Sequence, residues 1–141
     1  LCTTTVDMSK TYLDWAKRNF KLNDLSVGAN HFFQANCLEW LKQNHTERYD
    51  LIFVDPPTFS NSKKMEGYFD VQRDHVKLLH DVGRFLSDDG EIIFSTNFRR
   101  FKMDCARFSD WHIENLTSQT IDRDFERRSN IHTCWSLKRP L

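Results

Sequence analysis

The chain has 141 residues and carries 20 Lys and Arg against 20 Asp and Glu, so its formal net charge is zero; this predicts no overall attraction to nucleic acid and leaves any RNA binding to a local patch or another domain. A chain of this length is expected to form one domain, and its 12 Phe and 4 Trp supply a core, which excludes wholesale disorder. It has no run of about 18 apolar residues that would span a membrane, and no basic start followed by an apolar stretch that would mark a signal peptide.

Strand-like and helix-like segments alternate along the first two thirds of the chain. β-branched or apolar runs predict strands, and apolar residues that recur every three to four positions predict helices. Ser9 or Thr11 can cap the first helix, and Asn36 with Glu39 matches a capping box at the second. In order, the predicted elements are strand 3–6, helix 11–22, strand 31–35, helix 37–43, strand 51–54, helix 70–86 and strand 91–95.

The third predicted strand is the most informative of these elements. Leu-Ile-Phe-Val at 51–54 is a continuous apolar run, which predicts a strand buried on both faces, as in a parallel sheet. Pro56 and Pro57 stop this strand abruptly, and 58–67 is predicted to be a polar loop. Asp89-Gly90 predicts a turn before the next strand.

The last third of the chain is less regular. Residues 99–110 are basic and irregular, 112–120 predict a strand, and the alternation over 131–137 predicts a final, half-exposed strand. Because no long helix separates these two strands, they can pair antiparallel at one edge. The pattern predicts an α/β fold built on a mostly parallel sheet with an antiparallel edge pair.

Polar side chains follow four successive predicted strands, at the edge where open α/β sheets bind ligands. Asp7 can accept both hydroxyls of a ribose, or it can serve a helix N-terminus. Asn36 can accept from an adenine amine, or it can act as an N-cap. Thr96 and Asn97 follow the fourth strand.

Asp55-Pro56-Pro57 is the strongest local signal. Two consecutive prolines hold the backbone rigid, so that its carbonyls are placed to accept from a planar ligand. A strand terminator is the alternative interpretation. The position directly after the apolar run favours a functional role, with Asp55 pointing into the crevice.

The ends of the chain, its glycines and its cysteines add three expectations. The chain begins with Leu1 rather than Met and has only 4 Gly, none in a Gly-x-Gly, so we expect it to be a piece of a longer protein whose glycine loop lies upstream. Neither the four separated cysteines nor the six histidines have metal-ligand spacing, which predicts no metal site. Free thiols without an export signal predict a cytoplasmic protein.

These motifs resemble those of the class I S-adenosylmethionine-dependent methyltransferases. Thr-Thr-Thr-Val-Asp7-Met8-Ser9 is similar to their second strand, and Asp55-Pro-Pro to their fourth motif. More narrowly, residues 3–22, the run Asp55-Pro-Pro-Thr-Phe-Ser-Asn-Ser-Lys63 and the run Phe69-Asp-Val-Gln-Arg-Asp-His75 resemble the C-terminal methyltransferase half of the bifunctional RlmKL family of 23S ribosomal RNA guanine methyltransferases. The resemblance covers nearly the whole chain.

The resemblance implies a Rossmann-like class I methyltransferase fold that lacks its first strand and glycine loop, with residues 1–141 as the C-terminal part of a single methyltransferase domain. It implies S-adenosylmethionine as the cofactor, 23S rRNA as the partner, and upstream RNA-binding and second methyltransferase domains in the same chain. The reaction would be methylation of a guanine, at ring nitrogen seven. The absent strand would lie between the first and third strands seen here, so we expect this piece alone to be marginal, rearranged or associated.

The resemblance and the strand-end pattern together predict the site residues. Ring nitrogen seven has a lone pair and no proton, so Asp55 is expected to position the base rather than to accept a proton. Asn36 stands where such enzymes usually have Asp, which predicts weaker cofactor binding. Expected catalytic residues are Asp55, Pro56 and Pro57; expected cofactor-binding residues are Asp7, Met8, Asn36, Cys37 and Asp55.

RNA contacts are expected from the loops over the crevice. Basic side chains there would bind phosphates, and aromatic ones would stack on an extruded base. The main candidates are Phe59, Lys63, Phe98, Arg99, Arg100 and Lys102, with Tyr68, Phe69 and Phe101 as further stacking candidates.

Several alternatives stay open. The methyl acceptor could instead be the guanine exocyclic amine or cytosine carbon-5. Methylation of cytosine carbon-5 needs a cysteine thiolate, and Cys37 is a candidate because a helix start can lower the pKa of a thiol. A nicotinamide-binding domain would also use Asp7 and predicts Gly-x-Gly-x-x-Gly upstream. A non-catalytic nucleotide- or RNA-binding fragment is the third alternative.

Overall fold

A computed structural model describes residues 2–43, 46–60, 68–128 and 131–140 of the chain. The chain divides into two compact units, residues 1–44 (the N-terminal unit) and 45–141 (the C-terminal unit). None of the helices in the described ranges has the length and hydropathy of a bilayer-spanning helix. The elements are β1 (Thr4–Asp7), α1 (Lys10–Leu22), β2 (His31–Gln34), α2 (Cys37–Leu41), β3 (Tyr49–Val54), β4 (Phe59–Ser60), β5 (Phe69–Asp70), α3 (Val71–Gly83), β6 (Leu86–Thr96), β7 (His112–Asn115), α4 (Thr117–Thr120) and β8 (Thr133–Lys138), with 3₁₀ helices at Cys105–Phe108 and Arg123–Arg128.

The N-terminal unit is a β-α-β-α segment in which β1 and β2 pair in parallel. The Ser9 side chain accepts the Tyr12 N–H at 3.3 Å and caps α1. The Asn36 side chain accepts the Leu38 N–H at 2.9 Å and caps α2. The predicted caps by Ser9 and Asn36 are confirmed, because each satisfies a backbone donor that a helix start leaves unpaired. The Glu39 half of the predicted capping box is not, since the Glu39 carboxylate pairs with Lys42 at 2.8 Å.

The C-terminal unit is built on a four-stranded sheet with the order β3-β6-β8-β7. Strands β3 and β6 are parallel, whereas β8 pairs antiparallel with both β6 and β7. The predicted antiparallel edge pair is therefore confirmed. Its last strand, β8, lies between β6 and β7. Cys134 and Ser136, on the face predicted to be exposed, are therefore buried, as is Leu137 on the opposite face, and the prediction of a half-exposed final strand is wrong.

Helix α3 packs its apolar face into the core of this unit. Its predicted core face is confirmed, because Leu78, Leu79 and Val82 are buried at helical spacing. Burying each such side chain contributes roughly 1.5–3 kcal/mol. The helix ends at Gly83, earlier than predicted, where a Cβ would lie 2.6 Å from the Trp111 ring. Glycine thus allows the ring to close over the helix end.

Three further predictions for this unit are wrong, each for a tertiary reason. Leu51 and Phe53 are 63% and 67% exposed, so the face of β3 that carries them has no covering layer among the described residues. Asp89-Gly90 is not a turn between elements, since β6 continues through it with a shift of register against β3. Phe59–Ser60 pairs antiparallel with Phe69–Asp70, a ladder too short to be read from sequence.

Candidate functional site

One cluster of predicted site residues lies where β1 and β2 end. The Asp7 carbonyl at the end of β1 accepts the Ala35 N–H at 3.1 Å. The Cys37 thiol donates to the Val6 carbonyl at 3.4 Å. These bonds hold the start of α2 against the end of β1. The cluster brings together Asp7, Met8, Asn36 and Cys37.

Two side chains of this cluster already serve the local backbone. One carboxylate oxygen of Asp7 accepts the Ser9 N–H at 2.6 Å. The Asn36 amide oxygen accepts the Leu38 N–H, while its Nδ2 is buried without a hydrogen-bond partner in the described residues. A carboxylate has a second oxygen and an amide oxygen has a second lone pair. The capping roles are therefore compatible with ligand binding by the same residues.

The environment of Cys37 acts against thiolate chemistry. Although Cys37 is exposed at the surface, partial loss of water around its sulfur, followed by the negative charge of Asp7, raises the pKa of the thiol. A thiol with a raised pKa stays protonated at neutral pH and is a poor nucleophile. The cytosine carbon-5 alternative therefore gains no support from Cys37, because desolvation outweighs the backbone hydrogen bond that acts to lower its pKa.

A second cluster lies at the carboxyl ends of β3 and β6, within the C-terminal unit. Val54 lies opposite Phe94 in the parallel register, so Asp55 follows beside Ser95. Loss of water around the Asp55 carboxyl raises its pKa, and this effect is opposed by a hydrogen bond from the Ser95 side chain and by nearby His132. Asp55 is thus a partly desolvated acceptor held by a neighbouring strand.

The segment after the two prolines is tied down on two sides. The Thr58 hydroxyl donates to the Asn97 side-chain oxygen at 2.9 Å. The Thr58 carbonyl accepts the Val71 N–H at the start of α3 at 3.1 Å. Asp55, Pro56 and Pro57 are therefore followed directly by an anchored residue, which fixes the path of the backbone beyond the strand.

The aromatic candidates separate into surface and core residues. Phe59 is 56% exposed and its ring centroid lies 6.2 Å from that of Phe98, in an edge-to-face arrangement. Tyr68 is exposed and carries the Arg73 guanidinium over its ring. Phe69 and Phe101, by contrast, are buried. The prediction that Phe69 and Phe101 stack on a nucleobase is wrong, because both rings are buried in the core.

Three of the basic candidates lie on the loop that follows β6. Arg99, Arg100 and Lys102 are all exposed. Phe101 lies between them and points into the core, where its ring centroid is 5.3 Å from that of Phe94. Lys63 lies outside the described residues. The loop therefore presents its cations to solvent while an aromatic anchor holds it.

The two clusters belong to different units. Asp7, Met8, Asn36 and Cys37 are gathered in the N-terminal unit, and Asp55 lies with Thr58, Phe59, Asn97 and Phe98 in the C-terminal unit. The convergence of Asp7 and Asp55 on one ligand stays a prediction. Across the described ranges, no group of three or more His, Cys, Asp or Glu is placed to hold a metal ion.

Sequence reasoning missed Ser95 and His132 as neighbours of Asp55. Ser95 is the residue before the predicted strand-end Thr96, but its pairing with Asp55 depends on the register between β3 and β6, which no local pattern specifies. His132 comes from the segment before β8. Only the position of β8 beside β6 brings it near Asp55.

Comparison with known proteins gives close relatives, although no protein-family model matches the chain. The chain is 56% identical over 136 residues to a protein of Shewanella pealeana, in an alignment that covers 95% of this chain and 19% of the relative. It is 50% identical over 136 residues to one of Cellvibrio japonicus, covering 96% and 18%. Both are named ribosomal RNA large subunit methyltransferase K/L. The chain thus spans about a fifth of the length of the curated relatives it matches.

The chain is similar to one segment of these two relatives, which are named ribosomal RNA large subunit methyltransferase K/L. This confirms the resemblance inferred from the Asp55–Lys63 and Phe69–His75 motifs. The RlmKL segment to which it corresponds is a small part of a much longer protein.

Solved structures agree with the predicted fold class. SMU.776, solved in complex with SAH, superposes with a TM-score of 0.74 at 25% identity, covering 98% of this chain and 39% of that one. A SAM-dependent methyltransferase from Agrobacterium tumefaciens superposes with a TM-score of 0.72 at 18% identity, covering 98% and 49%. The fold of the chain is that of the class I methyltransferases.

Proposed function

We propose that this chain is part of an enzyme that transfers a methyl group from S-adenosylmethionine to large-subunit ribosomal RNA, with ring nitrogen seven of a guanine as the acceptor. The observation that carries the proposal is the cluster after β3. There, Asp55-Pro56-Pro57 leads to an anchored Thr58 and to the ring pair of an exposed Phe59 and a half-buried Phe98. The chain is 56% identical over 136 residues to a named rRNA methyltransferase. Residues 1–141 would be the C-terminal part of one methyltransferase domain.

The N-terminal cluster has the chemistry to hold the cofactor. The second Asp7 oxygen would accept ribose hydroxyls, and the Asn36 amide oxygen would accept from the adenine amine. Met8 and Cys37 would contribute apolar contacts beside them. When bound, S-adenosylmethionine supplies a methyl group activated on a sulfonium.

The C-terminal cluster would place the base. Ring nitrogen seven attacks without losing a proton, so the chain has to supply alignment rather than a general base. Alignment of two reactants contributes up to about 7–11 kcal/mol at the extreme. Asp55 would accept from the edge of the guanine, and Phe59 with Phe98 would contact the plane of an extruded base.

Other parts of the full protein would complete this chain. The exposed Leu51 and Phe53 on β3 support a covering segment supplied from outside these residues, since apolar faces of parallel strands are normally buried. Upstream RNA-binding and second methyltransferase domains would be partners in the same chain. A ribosomal RNA substrate would place the reaction in the cytoplasm.

The test is methyl transfer by the full-length protein to large-subunit rRNA that lacks the modification, followed by mass spectrometry of the nucleosides. We expect 7-methylguanosine. Methylation of the exocyclic amine or of cytosine carbon-5 would replace the proposed acceptor with one of the alternatives. No methylated nucleoside at all would reject the enzyme and favour a binding fragment.

Asp55→Asn tests the positioning role within that assay. We expect weaker RNA binding together with reduced turnover, because the amide replaces one acceptor oxygen with a donor. Asp81→Asn on α3, which loses the ion pair with Lys77, is the control. If Asp55→Asn abolished turnover while RNA and cofactor bound normally, positioning would be the wrong role.

A further inference from the structure

The run from Phe69 to His75 is part of the resemblance, yet the proposed chemistry uses none of its residues. It forms β5 and the first turn of α3. We propose that Gln72 and His75 are positioning residues, which hold the loop of residues 98–104 (the basic loop) in the conformation that binds the RNA backbone. The inference rests on the proposed function, since it takes this loop as the phosphate-binding element.

The Gln72 side chain bonds both backbone groups of one loop residue. Its Nε2 donates to the Lys102 carbonyl at 2.9 Å, and its Oε1 accepts the Lys102 N–H at 2.8 Å. A carboxamide is suited to this because it carries a donor and an acceptor side by side. The pair resembles one step of a β-ladder and fixes the peptide on both sides of a basic residue.

His75 holds the next part of the same loop. It is 2% exposed, and its Nδ1 lies 3.1 Å and 2.9 Å from the carbonyls of Val71 and Gln72. These acceptors assign the proton to Nδ1, which leaves Nε2 to accept the Asp104 N–H at 3.2 Å. The imidazole also packs edge-on against Phe101, with centroids 4.9 Å apart. His75 follows Gln72 by three positions, so both face the loop from one side of α3.

The helix end that carries this pair is itself fixed. The Asp70 side chain accepts the N–H groups of Gln72 and Arg73 at 2.8 Å and 3.2 Å. Asp74 in turn accepts the Asp70 N–H at 2.9 Å and pairs with the Arg73 guanidinium. A rigid helix start therefore holds the backbone of the basic loop, while its cations stay in solvent.

Such a loop is ordered before it meets RNA. Binding then does not have to pay for ordering the backbone that carries Arg99, Arg100 and Lys102. Gln72 and His75 contribute no charge to this interaction in the arrangement described. Their effect on RNA would be indirect, through the geometry of the cations.

The test is Gln72→Met in the full-length protein, which keeps the length of the side chain but removes its donor and acceptor. We expect the Lys102 amide to exchange hydrogen several-fold faster. We expect the Kd for an in vitro large-subunit rRNA transcript to rise about 5- to 10-fold, the equilibrium consequence of losing one or two net hydrogen bonds. The KM for RNA should rise with kcat unchanged. The salt dependence of binding should keep its slope, because the phosphate-binding cations remain.

Val82→Ala is the matched control, because Val82 is buried on the same helix and is not among the residues bonded to the basic loop. It should lower the melting temperature without changing the RNA Kd or the Lys102 exchange rate. Gln72→Ala serves as a second variant with the same expected result. If the control weakened RNA binding as much as Gln72→Met, general destabilisation would explain the effect and positioning would be rejected.

The remaining outcomes separate this inference from the proposed function. If hydrogen exchange at the Lys102 amide were unchanged in Gln72→Met, Gln72 would not hold the basic loop. If exchange became faster but RNA affinity stayed the same, the conformation of the loop would have no role in RNA binding. Replacing Arg99, Arg100 and Lys102 together by Gln should weaken RNA binding and flatten its salt slope. An unchanged slope in that triple variant would reject the proposed RNA interface, and the positioning role with it.

Discussion

The two units contain similar strand and helix patterns but bury very different amounts of apolar surface. In the N-terminal unit, Leu13 and Leu41 are the buried apolar residues among those described, whereas Tyr12 and Trp15 on α1 are exposed. In the C-terminal unit, α3 and the four-stranded sheet enclose a continuous core that includes Leu79 and Phe94. An amphipathic pattern thus specifies a helix, but only a complete sheet turns its apolar face into a core.

The units also differ in the chemistry they present. The N-terminal unit gathers acceptors suited to a nucleoside, built on short elements with little core. The C-terminal unit carries a rigid proline segment, an aromatic pair and the basic loop, which is held by hydrogen bonds. All three lie on a well-packed core. Under the proposed function, the first would bind the cofactor and the second would bind and place the RNA.

Removing a core side chain from the C-terminal unit should give the largest effect. Leu79 is fully buried, so Leu79→Ala should lower the free energy of unfolding by about 2–5 kcal/mol through lost burial and a residual cavity. Leu22→Ala is the counterpart in the N-terminal unit, and because Leu22 is 81% exposed its effect should stay within roughly 0.5 kcal/mol. Denaturant unfolding of the full-length variants measures both. Equal losses would show that the exposed face of α1 is packed in the full protein.

A change at Asp7 should affect the cofactor and leave RNA binding alone. Asp7→Ala removes an acceptor for two ribose hydroxyls, and hydrogen bonds to a charged group are each worth about 1.5–3 kcal/mol, so cofactor affinity should fall about 100-fold or more. Asp14→Ala, an exposed carboxylate on α1, controls for the change of charge. Calorimetric titration with S-adenosylmethionine, beside an RNA-binding assay, checks the separation. A loss of RNA affinity in Asp7→Ala would contradict the proposal that the N-terminal unit binds the cofactor and the C-terminal unit binds the RNA.

The smallest expected effect is a pH dependence at Asp55. Its pKa is raised in the folded protein above the ordinary value of 3.8, mainly by desolvation, so the folded state favours the protonated form. Protonated Asp55 therefore stabilises the folded state relative to the unfolded state. This contribution is fully present below the ordinary Asp pKa and is lost as the pH rises through the raised pKa. Asp55→Asn should therefore melt at a slightly higher temperature than the natural protein at neutral pH, and the difference should shrink in acid. If Asp55→Asn were less stable than the natural protein at neutral pH, the inference that desolvation of the Asp55 carboxylate destabilises the folded state would be wrong.

Predictions from local chemistry succeeded where one segment decides the outcome. Ser9 and Asn36 cap their helices because a side-chain oxygen next to unpaired N–H groups needs no distant partner. The apolar face of α3 followed from helical spacing, and Pro56-Pro57 ended β3 because proline lacks a donor. The aromatic candidates show the limit, since Phe59 and Phe101 look alike in sequence and only one of them is buried.

The sequence by itself determined the class of the fold, the order of its longer helices and strands and the residues that stand at the strand ends, because these depend on periodicity, propensity and short motifs. It did not predict the short β4–β5 ladder, nor that the strand predicted over 112–120 ends at Asn115 and is followed by α4. Only the tertiary structure decided that Ser95 lies beside Asp55, that β8 enters the middle of its sheet, and that Gln72 and His75 hold the loop around Lys102. The physical reason is that strand register and side-chain clamps join segments far apart in the chain. Their geometry is set by packing, which no local pattern encodes.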